Sequence, residues 1–253
     1  MSQAYSNTKI LIRDVAKQFP AENLQQGLAL TDISLSVSPN EFIAVVGRSG
    51  CGKTTLLNMI AGLLRPTQGA IFIDGKPVEG PGPDRGMVFQ NSALFPWLTA
   101  IENIEFGPKC IGTRKEERLR LAQELIELVR LAGFENKYPR ELSGGMRQRV
   151  AIARALAMDP DILLMDEPFG ALDELTRADM QDELLRIWQA RKKTVVFITH
   201  SIMEALYLSD RIIVLSPHPG RMRMDVGVDM PRPRQRSSQR FLEYYEEIHS
   251  AIS

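Results

Sequence analysis

The sequence is poor in cysteine. Only Cys51 and Cys110 occur in 253 residues. They form no CxxC pair, which excludes a disulfide framework and a cysteine-based zinc site. A reducing, cytoplasmic compartment fits best. An excess of one charge is also missing: Lys plus Arg is 31 and Asp plus Glu is 31. A global basic field for nucleic acid is therefore not expected, though a local patch stays open. Long apolar runs are absent. The longest uncharged stretch, Gly86 to Ile101, contains Gln90, Asn91, Ser92 and Pro96 and falls short of the roughly 18 apolar residues that a membrane span needs. The opening run MSQAYSNTKILIRDVAKQF has no basic region followed by an apolar block, so a secretory signal is not expected. Hydrophobic residues at 44% and charged residues at 25% exclude a wholly disordered chain. The length suits one large domain with a modest insertion.

Hydrophobic patterning divides the chain. Lys9 to Phe19, Leu28 to Val37, Glu41 to Val46 and Ala70 to Asp74 read as strands bounded by Pro, Asn and Gly. Thr54 to Leu64 reads as a helix. Arg114 to Leu131 places Leu119, Ala122, Ile126 and Val129 on one helical face, with Gly133 as a plausible C-cap. Another helix starts near Ser143 and ends before Pro160. Ile162 to Asp166 and Thr194 to His200 read as buried strands flanking a helix over Ala178 to Ala190, and Arg211 to Leu215 as a further strand. This alternation predicts an α/β fold with a mostly parallel sheet covered on both faces. From Pro231 the run PRPRQRSSQR reads as an exposed linker. Phe241, Tyr244, Tyr245, Ile248 and Ile252 then mark a terminal amphipathic helix.

Three motifs carry chemistry. Gly47-Arg48-Ser49-Gly50-Cys51-Gly52-Lys53-Thr54 fits G-x-x-x-x-G-K-[ST] and lies between a predicted strand and a predicted helix. Its glycines let backbone N–H groups face phosphate oxygens, and the helix presents its positive end to the same anion. Lys53 is placed to reach the β- and γ-phosphates, and Thr54 to offer its hydroxyl to Mg²⁺. Ile162-Leu163-Leu164-Met165-Asp166-Glu167-Pro168 buries a strand and delivers Asp166 to the crevice at its end. Asp166 would hold Mg²⁺, directly or through water, and Glu167 would polarise the attacking water. Leu142-Ser143-Gly144-Gly145-Met146-Arg147-Gln148-Arg149 reads either as a second anion cradle at a helix start or as a Ser N-cap with flexible glycines.

Taken together, these motifs resemble the ATP-binding cassette (ABC) transporter ATPases from about Lys9 to Met230. Their order also matches: phosphate loop, Gln90 ending MVFQ, LSGGMRQR, MDEP, Ala171-Leu172-Asp173 and Thr199-His200. The resemblance implies a P-loop NTPase (RecA-like) fold with an antiparallel β subdomain. It implies a cassette domain over 1–230 with a helical insertion over about 91–155, and a tail over 231–253. It implies ATP and Mg²⁺ as cofactors. Gly47 to Thr55, Gln90, Asp166 and His200 would line the nucleotide in one chain. Thr54, Gln90 and Asp166 would meet the metal, and His200 would contact the γ-phosphate. Phe19 would stack on adenine, or it belongs to the core. Ser143, Gly144, Gly145 and Gln148 would serve the ATP of a second cassette, and Asp173 would help join the two. Ser201 departs from the Asp usual after this His.

Within the family, GPGPDRGMVFQNSALFPWLTAIENIEFG, MDEPFGALDELTR and LSPHPGRM look most like importers of nitrate, taurine or alkanesulfonates. That implies integral-membrane permease subunits, a second cassette and, indirectly, a periplasmic or extracellular solute-binding protein. It also implies a place on the cytoplasmic face of the bacterial inner membrane and no nucleic-acid partner. Leu94-Phe95-Pro96-Trp97 reads either as a grip for a permease helix or as the core of the insertion. Arg232, Arg234, Arg236 and Arg240 read as a solvated linker or as a contact for anionic lipid. The alternatives are an export ATPase and a soluble non-transport cassette. The latter lacks support because the chain has neither heptads nor a second phosphate loop.

Overall fold

The computed structural model describes residues 8–20 and 27–252. The chain forms two compact units, residues 1–82 with 193–253, and residues 83–192. In chain order the elements are β1 (Ile10–Gln18), β2 (Leu28–Val37), β3 (Phe42–Val46), α1 (Lys53–Ala61), β4 (Gln68–Ile73) and β5 (Lys76–Pro77) in the first unit. The second unit holds β6 (Arg85–Val88), α2 (Ala100–Cys110), α3 (Lys115–Leu128), a 3₁₀ turn (Pro139–Glu141), α4 (Gly144–Leu156), β7 (Ile162–Asp166) and α5 (Glu174–Arg191). The chain then returns to the first unit as β8 (Thr194–Thr199), α6 (Ile202–Leu208), β9 (Arg211–Leu215), β10 (Met222–Gly227) and α7 (Gln239–Ile252).

The first unit contains two sheets. One is antiparallel, in the order β2-β1-β4-β5. In the other, β9, β3 and β8 are parallel neighbours and β10 closes the β9 edge antiparallel. β3 and β8 are buried at every position, as a parallel strand covered on both faces must be. The second unit pairs β6 with β7 in parallel. Its α2, α3 and α4 pack on one another through Ala100, Ile104, Ala122, Leu125, Ile126 and Val150.

Every expected strand forms, while β5, β6 and β10 were not expected, and three differences lie among the helices. Gly133 is not the cap of α3. That helix ends at Leu128 with Val129 as C-cap, and Gly133 turns the following loop at φ +87°. The helix expected from Ala178 starts at Glu174, because the Asp173 carboxylate accepts the Thr176 N–H at 3.0 Å. Two helices were not expected, α2 and α6. Each begins at a hydroxyl cap, Thr99 and Ser201.

The tail over 231–240 is mostly exposed, as expected of a linker, but two of its arginines turn inward. Arg234 is buried, and its guanidinium donates to the carbonyls of Leu206 and Ser209 at 2.5 Å each, Met230 at 3.1 Å and Val228 at 3.2 Å. Arg232 donates to the Leu208 carbonyl at 2.6 Å and pairs with Asp210 at 2.5 Å. Leu206, Leu208 and Ser209 stand at the end of α6, where no further helical turn can satisfy their carbonyls. Burial, followed by the like charge of Arg232, pulls the Arg234 pKa down to about 10. Arg236 and Arg240 stay exposed, each over a tyrosine ring, Tyr207 and Tyr244. The inward pair is therefore committed to the fold and is not presented to a lipid surface. α7 buries Phe241, Tyr244 and Ile248, as its spacing predicts.

Arg234→Met removes the donor from the buried Leu206 and Ser209 carbonyls, at a cost of about 2 kcal/mol. The urea midpoint should fall with an unchanged m-value. Arg234→Lys should recover only part of the loss, because an ammonium cannot span carbonyls on both sides of the planar fork.

Candidate nucleotide-binding site

In the first unit, β3 ends in a loop that leads into α1. The loop is held tightly at one side. A Cβ on Gly47 would lie 2.7 Å from Cys51 Sγ and 2.9 Å from the Leu215 carbonyl oxygen. Gly52 combines φ +93° with a space in which a Cβ would sit 2.6 Å from Leu30, so only glycine fits there. Gly52 is the N-cap of α1 and offers no side chain, and the first turn of α1 carries no acid. The helix therefore places no acid of its own at its positive end, which suits a bound anion. Arg48, Ser49 and Gly50 are exposed on the outer side of the loop, as is Thr54, with Thr55 half-buried.

Lys53 is buried, and its ammonium donates to the carbonyls of Gly47 at 2.9 Å and Arg48 at 3.1 Å. The charge is held at the loop rather than out in solvent. Cys51 is buried, and that burial pushes its thiol pKa up, with the Lys53 charge opposing. It is a small filler under Gly47. Sequence reasoning missed Gly220. A Cβ there would stand 2.0 Å from the Cys51 carbonyl oxygen, and its backbone bonds to Ala29 and Thr31. No local motif marks this residue; only the fold brings it under the loop.

His200 ends β8 and is exposed. Behind it the Thr199 hydroxyl donates to the Glu204 carboxylate at 2.6 Å and accepts the Ser201 N–H at 3.0 Å. The Ser201 hydroxyl accepts the Glu204 N–H at 3.3 Å and caps α6. Serine therefore does the capping at this position, and the hydrogen bonding behind His200 is complete. Phe19 is 41% exposed with the Lys17 ammonium 5.2 Å above its ring, so it is not a core residue.

In the second unit, the buried run of β7 delivers Asp166 and Glu167, both half-buried. Glu167 has φ +43°, a left-handed backbone that costs a non-glycine residue about 1 kcal/mol. Its carbonyl accepts the Gly170 N–H at 3.0 Å. A Cβ on Gly170 would meet the Gln90 amide nitrogen at 3.1 Å, so Gly170 makes room for Gln90 beside the acidic turn. The Ser143 hydroxyl caps α4 by accepting the Met146 N–H at 3.2 Å. The start of α4, like that of α1, carries no acid. Gly145 packs where a Cβ would be 2.7 Å from Thr176 on α5. Asp173 is exposed, and hydrogen bonds from the Thr176 backbone and hydroxyl hold its carboxyl below the usual range. Gln90, Gly144, Arg147, Gln148, Ala171 and Leu172 line a cleft of about 260 Å³. Gln148 is buried and lines this cleft, whereas Ser143 is exposed.

The candidate residues thus fall into two sets. Phe19, Gly47 to Thr55 and His200 belong to the first unit. Gln90, Ser143 to Gly145, Gln148, Asp166, Glu167 and Asp173 belong to the second. Among the described residues, no group of three or more His, Cys, Asp or Glu side chains could hold a metal by itself.

Residues 30–170 match the family described as ABC transporter. The chain belongs to this family. It is an ABC cassette ATPase, and it binds ATP. An ABC transporter ATP-binding protein of Methanocaldococcus jannaschii is 54% identical over 95% of this chain and 90% of its own length. A taurine import ATP-binding protein of Jannaschia sp. is 46% identical over 97% of this chain and 94% of its own. A solved dimeric ATP-binding cassette, in a post-hydrolysis state with ADP and Pi, is 34% identical with a TM-score of 0.74, covering 88% of this chain and all of that one. The fold is accordingly that of the ABC P-loop NTPases. Among the described residues, no helix is long and apolar enough to cross a membrane.

Because Gly220 abuts the Cys51 carbonyl, Gly220→Ala must push the phosphate loop out of shape. We expect ATP affinity to fall at least about 10-fold by direct titration, as expected when anion-binding donors are displaced. Urea denaturation should show that the variant is folded.

Proposed function

We propose that this cassette powers an importer of a small anion, of the nitrate, taurine or alkanesulfonate type, by dimerising around two Mg-ATP. The carrying observation is that α1 and α4 each start at a glycine-containing turn whose first turn carries no acid, so that neither helix places an acid of its own at its positive end. One suits the phosphates of the chain's own ATP. The other suits the γ-phosphate held by a second cassette. The dimeric cassette at 34% identity supports this arrangement. The 46% identical taurine import protein supports the direction and class of transport.

Each residue then has a task. Backbone N–H groups of Gly47 to Lys53 cradle the phosphates, and Lys53, already held at the loop, supplies charge at little entropic cost. The Thr54 hydroxyl, the Gln90 amide oxygen and the Asp166 carboxylate are hard oxygen donors of the kind Mg²⁺ prefers and would hold it. Bound there, the metal would neutralise charge developing on the phosphates. Glu167 accepts a proton from the attacking water, and Gln90 orients that water. His200 donates to the γ-phosphate, and Phe19 stacks on the adenine. Ser143, Gly144 and Gly145 close the partner's site, and Asp173 joins the two cassettes. Gln148 supports that end of α4 from within. Hydrolysis removes the phosphate bridging the two chains, and the dimer opens.

Permease subunits would be gripped by the exposed aromatic cluster in the second unit. Trp97 is 69% exposed and meets Phe95, which also meets Phe106 at 4.4 Å between ring centroids. Such a cluster suits a short helix laid against it. The cassette would sit at the cytoplasmic face of the cell membrane, fed from outside by a solute-binding protein, with no nucleic-acid partner.

Glu167→Gln should slow hydrolysis by at least about 10²-fold with ATP binding retained, since the group that polarises water is gone. Near-normal turnover would refute the assignment. In the same background, Ser143→Arg should leave ATP binding intact and abolish ATP-driven dimerisation in sedimentation. An unchanged dimer would refute the exchange of signature loops.

A further inference from the structure

After β6 the chain runs through Phe89 and Gln90 into a stretch without helix or strand until α2. Carbonyls in such a segment have no ladder to satisfy them. One side chain supplies donors to its middle. The Arg154 guanidinium on α4 donates to the carbonyls of Ala93 at 2.7 Å and Ser92 at 2.9 Å. The same guanidinium lies 5.7 Å from the centre of the Phe95 ring. Ala93 has φ +47°, a conformation that a non-glycine residue keeps only where its surroundings hold it. From the other side the buried Asn103 on α2 accepts the Phe95 N–H at 2.8 Å and donates to the Phe95, Leu98 and Thr99 carbonyls. The segment carrying Gln90 at one end and the aromatic cluster at the other is therefore pinned at two points. Arg154 is the one on α4, the helix whose first turn holds Ser143 to Gly145.

We propose that Arg154 is a positioning residue that makes the aromatic cluster, the Gln90 segment and the signature end of α4 move as one body. This rests on the reading of the cluster as the permease grip and of Ser143 to Gly145 as the partner's phosphate site. α4 is continuous from Gly144 to Leu156, so displacement at its start reaches Arg154 without loss. The fork then transmits it to two consecutive carbonyls and one ring. Lysine cannot do this: a point charge can satisfy a carbonyl but cannot both fork and stack. Burial also lowers the Arg154 pKa, in keeping with a guanidinium given over to the protein rather than to water.

The test uses Trp97 as the reporter. The second tryptophan, Trp188, is buried on α5 and is removed as Trp188→Phe. In the full chain carrying Glu167→Gln and Trp188→Phe, Mg-ATP should change Trp97 emission as the dimer forms. Arg154→Lys, which keeps the charge and the fold, should reduce that amplitude at least about 5-fold while ATP affinity stays within about 3-fold. Arg154→Gln should do the same and should speed amide exchange over residues 91–98. A full Trp97 response in the lysine variant overturns the proposal, as does an ATP-bound dimer of the parent in which Trp97 does not respond. A parent that fails to bind ATP in direct titration overturns the ATPase reading, and this proposal with it; the titration tells the two failures apart.

Discussion

The first turn of α1 carries no acid of its own, and its positive end suits a bound anion. The constraint is local and electrostatic: a glycine cap, a first turn without acid, and an ammonium folded back onto two carbonyls of its own loop. Much of the first unit around it exists to keep that loop in place. β3 brings the chain to Gly47, Leu215 of β9 and Leu30 of β2 wall it in, and Gly220 lets a second backbone come under Cys51. A side chain in any of these gaps would turn the N–H groups away from where an anion must sit. The second unit repeats the device at α4 in a looser form, with a serine cap and two glycines.

Several arginines in this protein are turned against the main chain. Arg154 satisfies a loop, Arg232 and Arg234 the end of α6, Arg147 the Leu142 carbonyl and Arg177 the Leu172 carbonyl. In each case an irregular or terminal segment has carbonyls without a secondary-structure partner. A planar fork can cover two of them at once and still stack on a ring, as Arg154 does with Phe95. The pattern also explains a chain of zero net charge whose arginines are not simply a solvated coat.

The sequence reveals the strands and the phosphate loop because both are written locally. FIAVV, ILLMD and TVVFIT are apolar without a break, and the glycines of the loop stand at fixed offsets from Lys53. The helices α2 and α6 were equally legible in principle, through Thr99 with Glu102 and Ser201 with Glu204 three residues on. They were missed because their apolar faces are short. In α6 the signal is also divided, since Glu204 turns to Thr199 instead of back to the cap. The roles of Arg234, Arg154 and Gly220 could not be read at all. Each depends on contacts with residues far along the chain, and a charged or small residue gives no hint of what it will meet. Phe19 was ambiguous for the same reason, and its exposure removes the core alternative.

The left-handed backbone at Glu167 has an evolutionary side. Glycine or asparagine would rest there more easily, so drift toward a sturdier protein pulls this position away from carboxylate. Only the demand for turnover holds it. A copy of the cassette released from that demand, kept for assembly alone, would be expected to lose its acid here early and become more heat-tolerant as it did so.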